Sequence, residues 1–94
     1  MFEYSIGRML RFHVAYTLPR GGDHMVVAEV LDFPGVFSQG FDLADARRMI
    51  ASALQDMASL YLEQGRALPL PDPDTADADA DLIELLPLSL EVGV

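Results

Sequence analysis

The chain has 94 residues, 51% of them hydrophobic, with a net charge of −9 at pH 7 and no cysteine. One domain is expected at this length, and the apolar content excludes wholesale disorder. Disulfides and thiolate metal sites are excluded, no apolar run approaches the roughly 20 residues of a membrane span, and the start lacks the pattern of a secretory leader, so a soluble cytoplasmic protein is expected.

Residues 1–8 read as an N-terminal extension, either a tail or a short extra strand interrupted by Gly7, and Met9 offers an alternative start. From Phe12 to Leu18 the pattern alternates, with Phe12, Val14, Tyr16 and Leu18 on one side and His13, Ala15 and Thr17 on the other. Period two with aromatic and β-branched residues predicts a strand. Pro19-Arg20-Gly21-Gly22-Asp23 is turn chemistry, because paired glycines tolerate positive φ. Met25 to Val30 predicts a second strand. Asp32-Phe33-Pro34-Gly35 follows as a turn in which Pro34 presets φ and Gly35 supplies φ > 0. Val36 to Gly40 predicts a third strand.

A long amphipathic helix is predicted from Leu43 to about Gln64. Asp42 suits the N-cap, since its carboxylate accepts from orphan amides of the first turn. Asp45 places a second acid at the positive end of the helix dipole. Gly65 suits the left-handed position that ends a helix. The apolar stripe runs through Leu43, Ala46, Met49, Ile50, Ala53, Leu54, Met57, Leu60 and Tyr61, at the three- and four-residue steps of a core-facing side. Met49, Ile50, Leu54, Met57 and Leu60 are expected to pack on the sheet.

Beyond Gly65 the composition changes. Prolines 69, 71 and 73 hold the backbone extended and forbid helix, and residues 66–81 form a Pro/Asp-rich linker. Residues 72–94 carry seven acidic groups and no basic one, against six Arg and eight acids in residues 1–71. Phosphate backbones repel such a chain, so autonomous nucleic-acid binding is not expected. The acids serve solubility or steer a basic protein partner. Leu82 to Val92 predicts the last strand, with Leu86, Leu88, Leu90 and Val92 on one face. Pro87 restricts it to a sheet edge or a bulge. The fold class expected is α+β, in the order β-β-β-α-β: an antiparallel meander with one long helix on one face and a fourth edge strand. The small core and apolar last strand favour a homodimer or homotetramer.

The ordered set Val27-Ala28-Glu29-Val30-Leu31-Asp32-Phe33-Pro34-Gly35, Ser38-Gln39-Gly40, Asp42-Leu43-Ala44-Asp45-Ala46, and Leu60-Tyr61-Leu62 with Gly65 and Leu68-Pro69 resembles the HicB antitoxin family. The family pattern is a strand ending in a Pro-Asp-Leu-Pro-Gly-like turn, a short strand, a Thr-x-x-Glu-Ala helix start and a Gly-x-x-Ile-Pro exit. The resemblance covers about residues 12 to 70. It implies a partial ribonuclease H-like fold and neutralisation of a small basic ribonuclease toxin, HicA, of the double-stranded-RNA-binding type. Three departures stand out: the extension over residues 1–8, a longer and more acidic linker from Asp72 to Asp81, and no helix-turn-helix or ribbon-helix-helix segment after the last strand. The third bears on operator binding rather than on toxin binding.

Catalytic, cofactor and metal residues are not expected. Two-metal hydrolysis needs several converging carboxylates, and the strand from Phe12 to Leu18 holds none. Asp77-Ala78-Asp79-Ala80-Asp81 imitates an EF-hand start, but Leu82 and Leu88 stand where that loop needs Gly and Glu. His13 and His24 lack a third ligand. The expected partner surface is Asp32, Phe33, Pro34 and Gly35, with Phe33 either a rigid aromatic anchor or a cap on the core. The linker acids Asp72, Asp74, Asp77, Asp79 and Asp81 are expected to speed encounter with a basic toxin. The alternative is a stand-alone homo-oligomer of the same type that binds a small molecule or another protein without a toxin partner.

Overall fold

The computed structural model describes residues 6–92, with side-chain surroundings for residues 9–88. The elements are β1 (Ile6–Thr17), β2 (Val26–Val30), β3 (Phe37–Gly40), α1 (Leu43–Glu63) and β4 (Leu82–Val92). The strands form one antiparallel sheet in the order β3-β2-β1-β4, so β1 is central and β4 is an edge strand. This is the α+β arrangement the residue pattern predicts. Pro87 sits on the edge strand opposite Arg11, and the register continues unbroken through it.

The expected extension over residues 1–8 divides in two. Residues 1–5 lie outside the described residues. Ile6, Gly7 and Arg8 continue β1, opposite Val92, Glu91 and Leu90. Local propensity at Gly7 yields to the partner strand beside it. β1 is therefore 12 residues long, yet β2 pairs with it only from Val14 to Thr17. Towards its start β1 has strand β4 on one side only, and the two run on as a two-stranded arm.

Both ends of α1 are built from the residues the sequence marks. Asp42 is extended, at φ −146° and ψ −179°, and its carboxylate accepts from the Asp45 N–H at 2.7 Å. Asp45 in turn accepts from the Phe41 N–H at 2.9 Å. At the far end the Arg66 N–H donates to the Tyr61 carbonyl and the Gly65 N–H to the Leu62 carbonyl, with Gly65 at φ +68°. This pair of bonds is the Schellman closure, which needs a residue free to adopt positive φ.

One side of the sheet faces α1. Its core joins Phe12, Val14 and Tyr16 of β1, Val26, Ala28 and Val30 of β2, Phe33 and Val36 of the intervening loop, and Leu88 of β4. The helix contributes Ala46, Ile50, Leu54 and Ala58, four positions one turn apart. Small residues at 46 and 58 let the helix backbone approach the sheet. The closest approach is at Gly40, where an added Cβ would lie 2.3 Å from the Ala46 nitrogen.

The predicted helix stripe is wider than the buried one. Ile50 and Leu54 are buried and Met57 is partly so, but Met49 and Leu60 are 47% and 44% exposed. Both lie on the flank of α1 that points past β3. That strand is the sheet edge and only four residues long, so among the described residues no further strand stands beyond it to cover that flank. Across the helix on its other flank, Arg47 donates to the Glu84 carboxylate of β4, from Nε at 3.0 Å and again from the terminal nitrogen. The buried Tyr16 lies beneath this pair. Burial and the Glu84 charge push its phenol up, and Arg47 opposes them. The guanidinium of Arg47 is itself held more firmly protonated by Glu84.

Candidate functional site

Asp32 is the second residue beyond the end of β2, at the place where β1 loses β2 as a neighbour. There the His13 carbonyl accepts from the Leu31 N–H at 2.8 Å, and the His13 N–H donates to Asp32 Oδ1 at 2.8 Å. The His13 ring Nδ1 lies 2.8 Å from Asp32 Oδ2, which also accepts from the Asp72 N–H at 3.1 Å. The Asp32 side chain is 3% exposed. Burial opposes its ionisation most strongly of any single influence. The hydrogen bonds from the His13 ring, the His13 and Asp72 N–H groups and its own N–H together outweigh burial and hold the carboxyl below the usual range.

Phe33 is fully buried and caps the core. The reading of Phe33 as an exposed interface anchor is thereby corrected. Its ring meets Phe12 at 5.5 Å and the edge of Tyr61 at 5.1 Å. The Arg66 guanidinium lies over the Tyr61 ring at 3.9 Å, so a cation closes the row of aromatics. Buried aromatic neighbours hold the ring on the inner side of the turn. Asp32 is likewise occupied internally. Of the expected turn, Pro34 and Gly35 remain exposed.

The linker acids are not equivalent. Asp72 accepts from the Asp74 N–H at 2.9 Å and Asp77 from the Asp79 N–H at 3.0 Å, giving two local Asx turns. Asp81 joins the far end of the linker to the end of β1: its carboxylate accepts from the Leu18 N–H at 2.8 Å and pairs with Arg20 at 2.5 Å. Its N–H donates to the Tyr16 carbonyl at 2.9 Å. Asp72, Asp77 and Asp81 thus hold the chain in place, and Asp74 and Asp79 are the exposed linker acids whose carboxylates make neither a hydrogen bond nor an ion pair among the described residues. The structure brings Asp72 to Asp32 and separates Asp81 from both.

The feature that residue patterns do not reveal is a shallow groove of about 320 Å³ between β3 and α1, lined by Gly35, Val36, Phe37, Ala53, Asp56, Met57 and Leu60. Phe37 is 61% exposed at its edge, and Gly35 links it to the predicted turn. The only trace in the sequence is the excess width of the helix stripe, which offers more apolar positions than one short sheet can cover. Among the described residues no group of three or more His, Asp or Glu converges as a metal site, and no helix is long and apolar enough to cross a membrane. Compared with protein-family models, curated proteins and solved structures, the chain matches none. Any functional reading therefore rests on the surface itself.

Proposed function

We propose that this chain is a HicB-like antitoxin domain that binds a small basic ribonuclease and occludes it. The observation that carries this reading is the groove beside β3. Its apolar lining of Val36, Phe37, Ala53, Met57 and Leu60 sits next to Asp56, in a chain of net charge −9. An apolar side chain of the partner would fill the groove, with a cationic neighbour meeting Asp56. Burial of the apolar part supplies affinity and the charge supplies orientation. Steric occlusion needs no catalytic group on this chain.

The exposed linker acids, Asp74 and Asp79, add long-range attraction. Their effect belongs in the association rate, whereas groove residues act on dissociation. Binding kinetics at two salt concentrations, against a small basic ribonuclease of the HicA type, test the division. Asp74→Asn with Asp79→Asn lowers the association rate and its salt dependence. Leu60→Ser raises the dissociation rate. An RNA-cleavage assay run alongside records neutralisation. If the protein neither binds that partner nor suppresses its cleavage, the antitoxin reading fails. The stand-alone oligomer, favoured by the exposed apolar residues Val27, Ile83 and Leu85, then takes its place.

A further inference from the structure

β3 is an open edge of the sheet, and the register shows which of its backbone groups face outward. The Val30 N–H donates to the Val36 carbonyl at 3.0 Å. Such bonds recur at every second residue of an antiparallel pair, so Ser38 and Gly40 turn their backbone groups to Ala28 and Val26, their partners in register. Phe37 and Gln39 point theirs away from β2. Phe41, two residues further on, agrees with this direction: its N–H leaves the sheet to meet the Asp45 carboxylate. A bare edge pairs readily with another strand unless a charge or a proline guards it. The sequence of β3, Phe-Ser-Gln-Gly, contains neither, whereas β4 on the opposite edge carries Glu84 and Pro87.

Along this edge runs the uncovered flank of α1. Met49, Ala53, Asp56, Leu60 and Glu63 follow one another on it at four- and three-residue steps, which sets them in one line. Met49 and Leu60 are half-exposed, and Asp56 and Glu63 have no ion-pair partner among the described residues. Neighbouring strands lie about 4.8 Å apart, so a strand added to β3 would run beneath this line.

We propose that a partner protein docks by adding an extended segment to β3 as an extra antiparallel strand. Its apolar side chains, at every second position, enter the groove, and a basic residue at its end meets Asp56 and Glu63. Antiparallel pairing is the more stable kind. It also runs the segment from Gly40 towards Gly35, the end where Asp56, Met57 and Leu60 line the groove. Residues of the segment opposite Phe37 and Gln39 exchange N–H···O bonds with them, and the residues between send their side chains towards α1. Charge selects the occupant: the acids of the flank favour a basic segment, and the net charge of −9 disfavours a second copy of this chain. The inference rests on the groove reading given under the proposed function and adds the way a partner enters it.

The probe is the acetylated peptide Lys-Leu-Thr-Leu-Thr-Leu-Thr-Lys, titrated into the full chain and followed by amide NMR. Its leucines take the groove-facing places and its threonines stand opposite Phe37 and Gln39. Hydrogen exchange should slow at the Phe37 and Gln39 N–H groups and stay unchanged at Ser38 and Gly40, which are already bonded to β2. N-methylation of the threonines removes the donors aimed at β3 and should weaken binding about tenfold or more. N-methylation of the leucines, whose amides face away from β3, should leave binding nearly unchanged. Gln39→Pro deletes an outward amide, a change that edge strands tolerate, and should weaken binding where Gln39→Ala does not. Circular dichroism checks that the proline variant folds, and the methylated peptides decide the question on the unaltered chain. Absence of binding, equal losses from the two methylations, or binding without slowed exchange at Phe37 and Gln39 would each overturn the inference. The probe contains no toxin, so the antitoxin reading can fail in its cleavage assay while strand addition stands.

Discussion

Asp32 is the residue on which three segments meet. β1 supplies the His13 ring and N–H, the loop after β2 supplies the carboxylate, and the linker supplies the Asp72 N–H. In Asp32→Asn one carbonyl oxygen replaces two acceptors, and the new amide donor faces groups that also donate. Leaving such a group unsatisfied costs about 1–3 kcal/mol. Because the folded carboxyl titrates below its unfolded value, its contribution is fully present above the unfolded pKa of ~3.9 and fades as pH falls through the folded value. Urea denaturation should therefore show the widest gap between the unaltered protein and Asp32→Asn near neutrality, closing in acid; a gap that grew as pH fell would mean that the folded carboxyl titrates above its unfolded value. The turn at Asp32-Phe33-Pro34-Gly35 is legible in the sequence because Pro and Gly set backbone angles locally. The direction of the Phe33 ring is not, since it depends on Phe12 and Tyr61, which only the folded chain brings near.

At the scale of elements, α1 shows the difference between a helix end and a helix face. Its ends are local chemistry, and Asp42 and Gly65 mark them in the sequence as they stand in the structure. Its buried face depends on how far the sheet extends beneath it. Periodicity gives the direction of the stripe but not its width. Leu54→Ala, at a position 1% exposed, should cost about 2–5 kcal/mol through lost burial and the remaining cavity. Met49→Ala, on the uncovered flank, should stay within about 0.5 kcal/mol of the unaltered protein. Equal losses in paired chemical melts would mean that the helix is rotated from the orientation described. The linker shows the same limit. Its Asp and Pro content identifies it as irregular, yet the hold of Asp81 on Leu18 and Arg20 spans most of the chain and leaves no local signature.

For the molecule as a whole, charge and shape act together. The extents are 59 × 25 × 22 Å and the radius of gyration is 14.9 Å, against about 12 Å for a compact domain of this length. The arm of β1 and β4 accounts for the elongation. Elongation spreads the net charge of −9, but the acids of the last quarter still repel one another in every folded copy. Salt shortens the reach of that repulsion to about 10 Å at 0.1 M. The ion pairs it weakens in exchange are mostly exposed and individually worth little. Thermal melts should accordingly move upward as sodium chloride is added from low to moderate concentration. A downward shift would mean that the ion pairs of Arg20, Arg47 and Arg48 outweigh the repulsion.

The contact at Gly40 bears on which sequences this fold can accept. Gly40 is not among the glycines with positive φ, so its backbone angles suit any residue. What rules out a side chain is the helix backbone itself: Ala46 N, Asp45 C and Ala46 Cα would lie 2.3, 2.7 and 2.8 Å from a Cβ. Backbone cannot turn aside as a side chain can. In a library randomised one codon at a time and selected for folded protein alone, position 40 should retain glycine. The exposed Gly22, whose Cβ would meet nothing within 4 Å, should drift freely under the same selection.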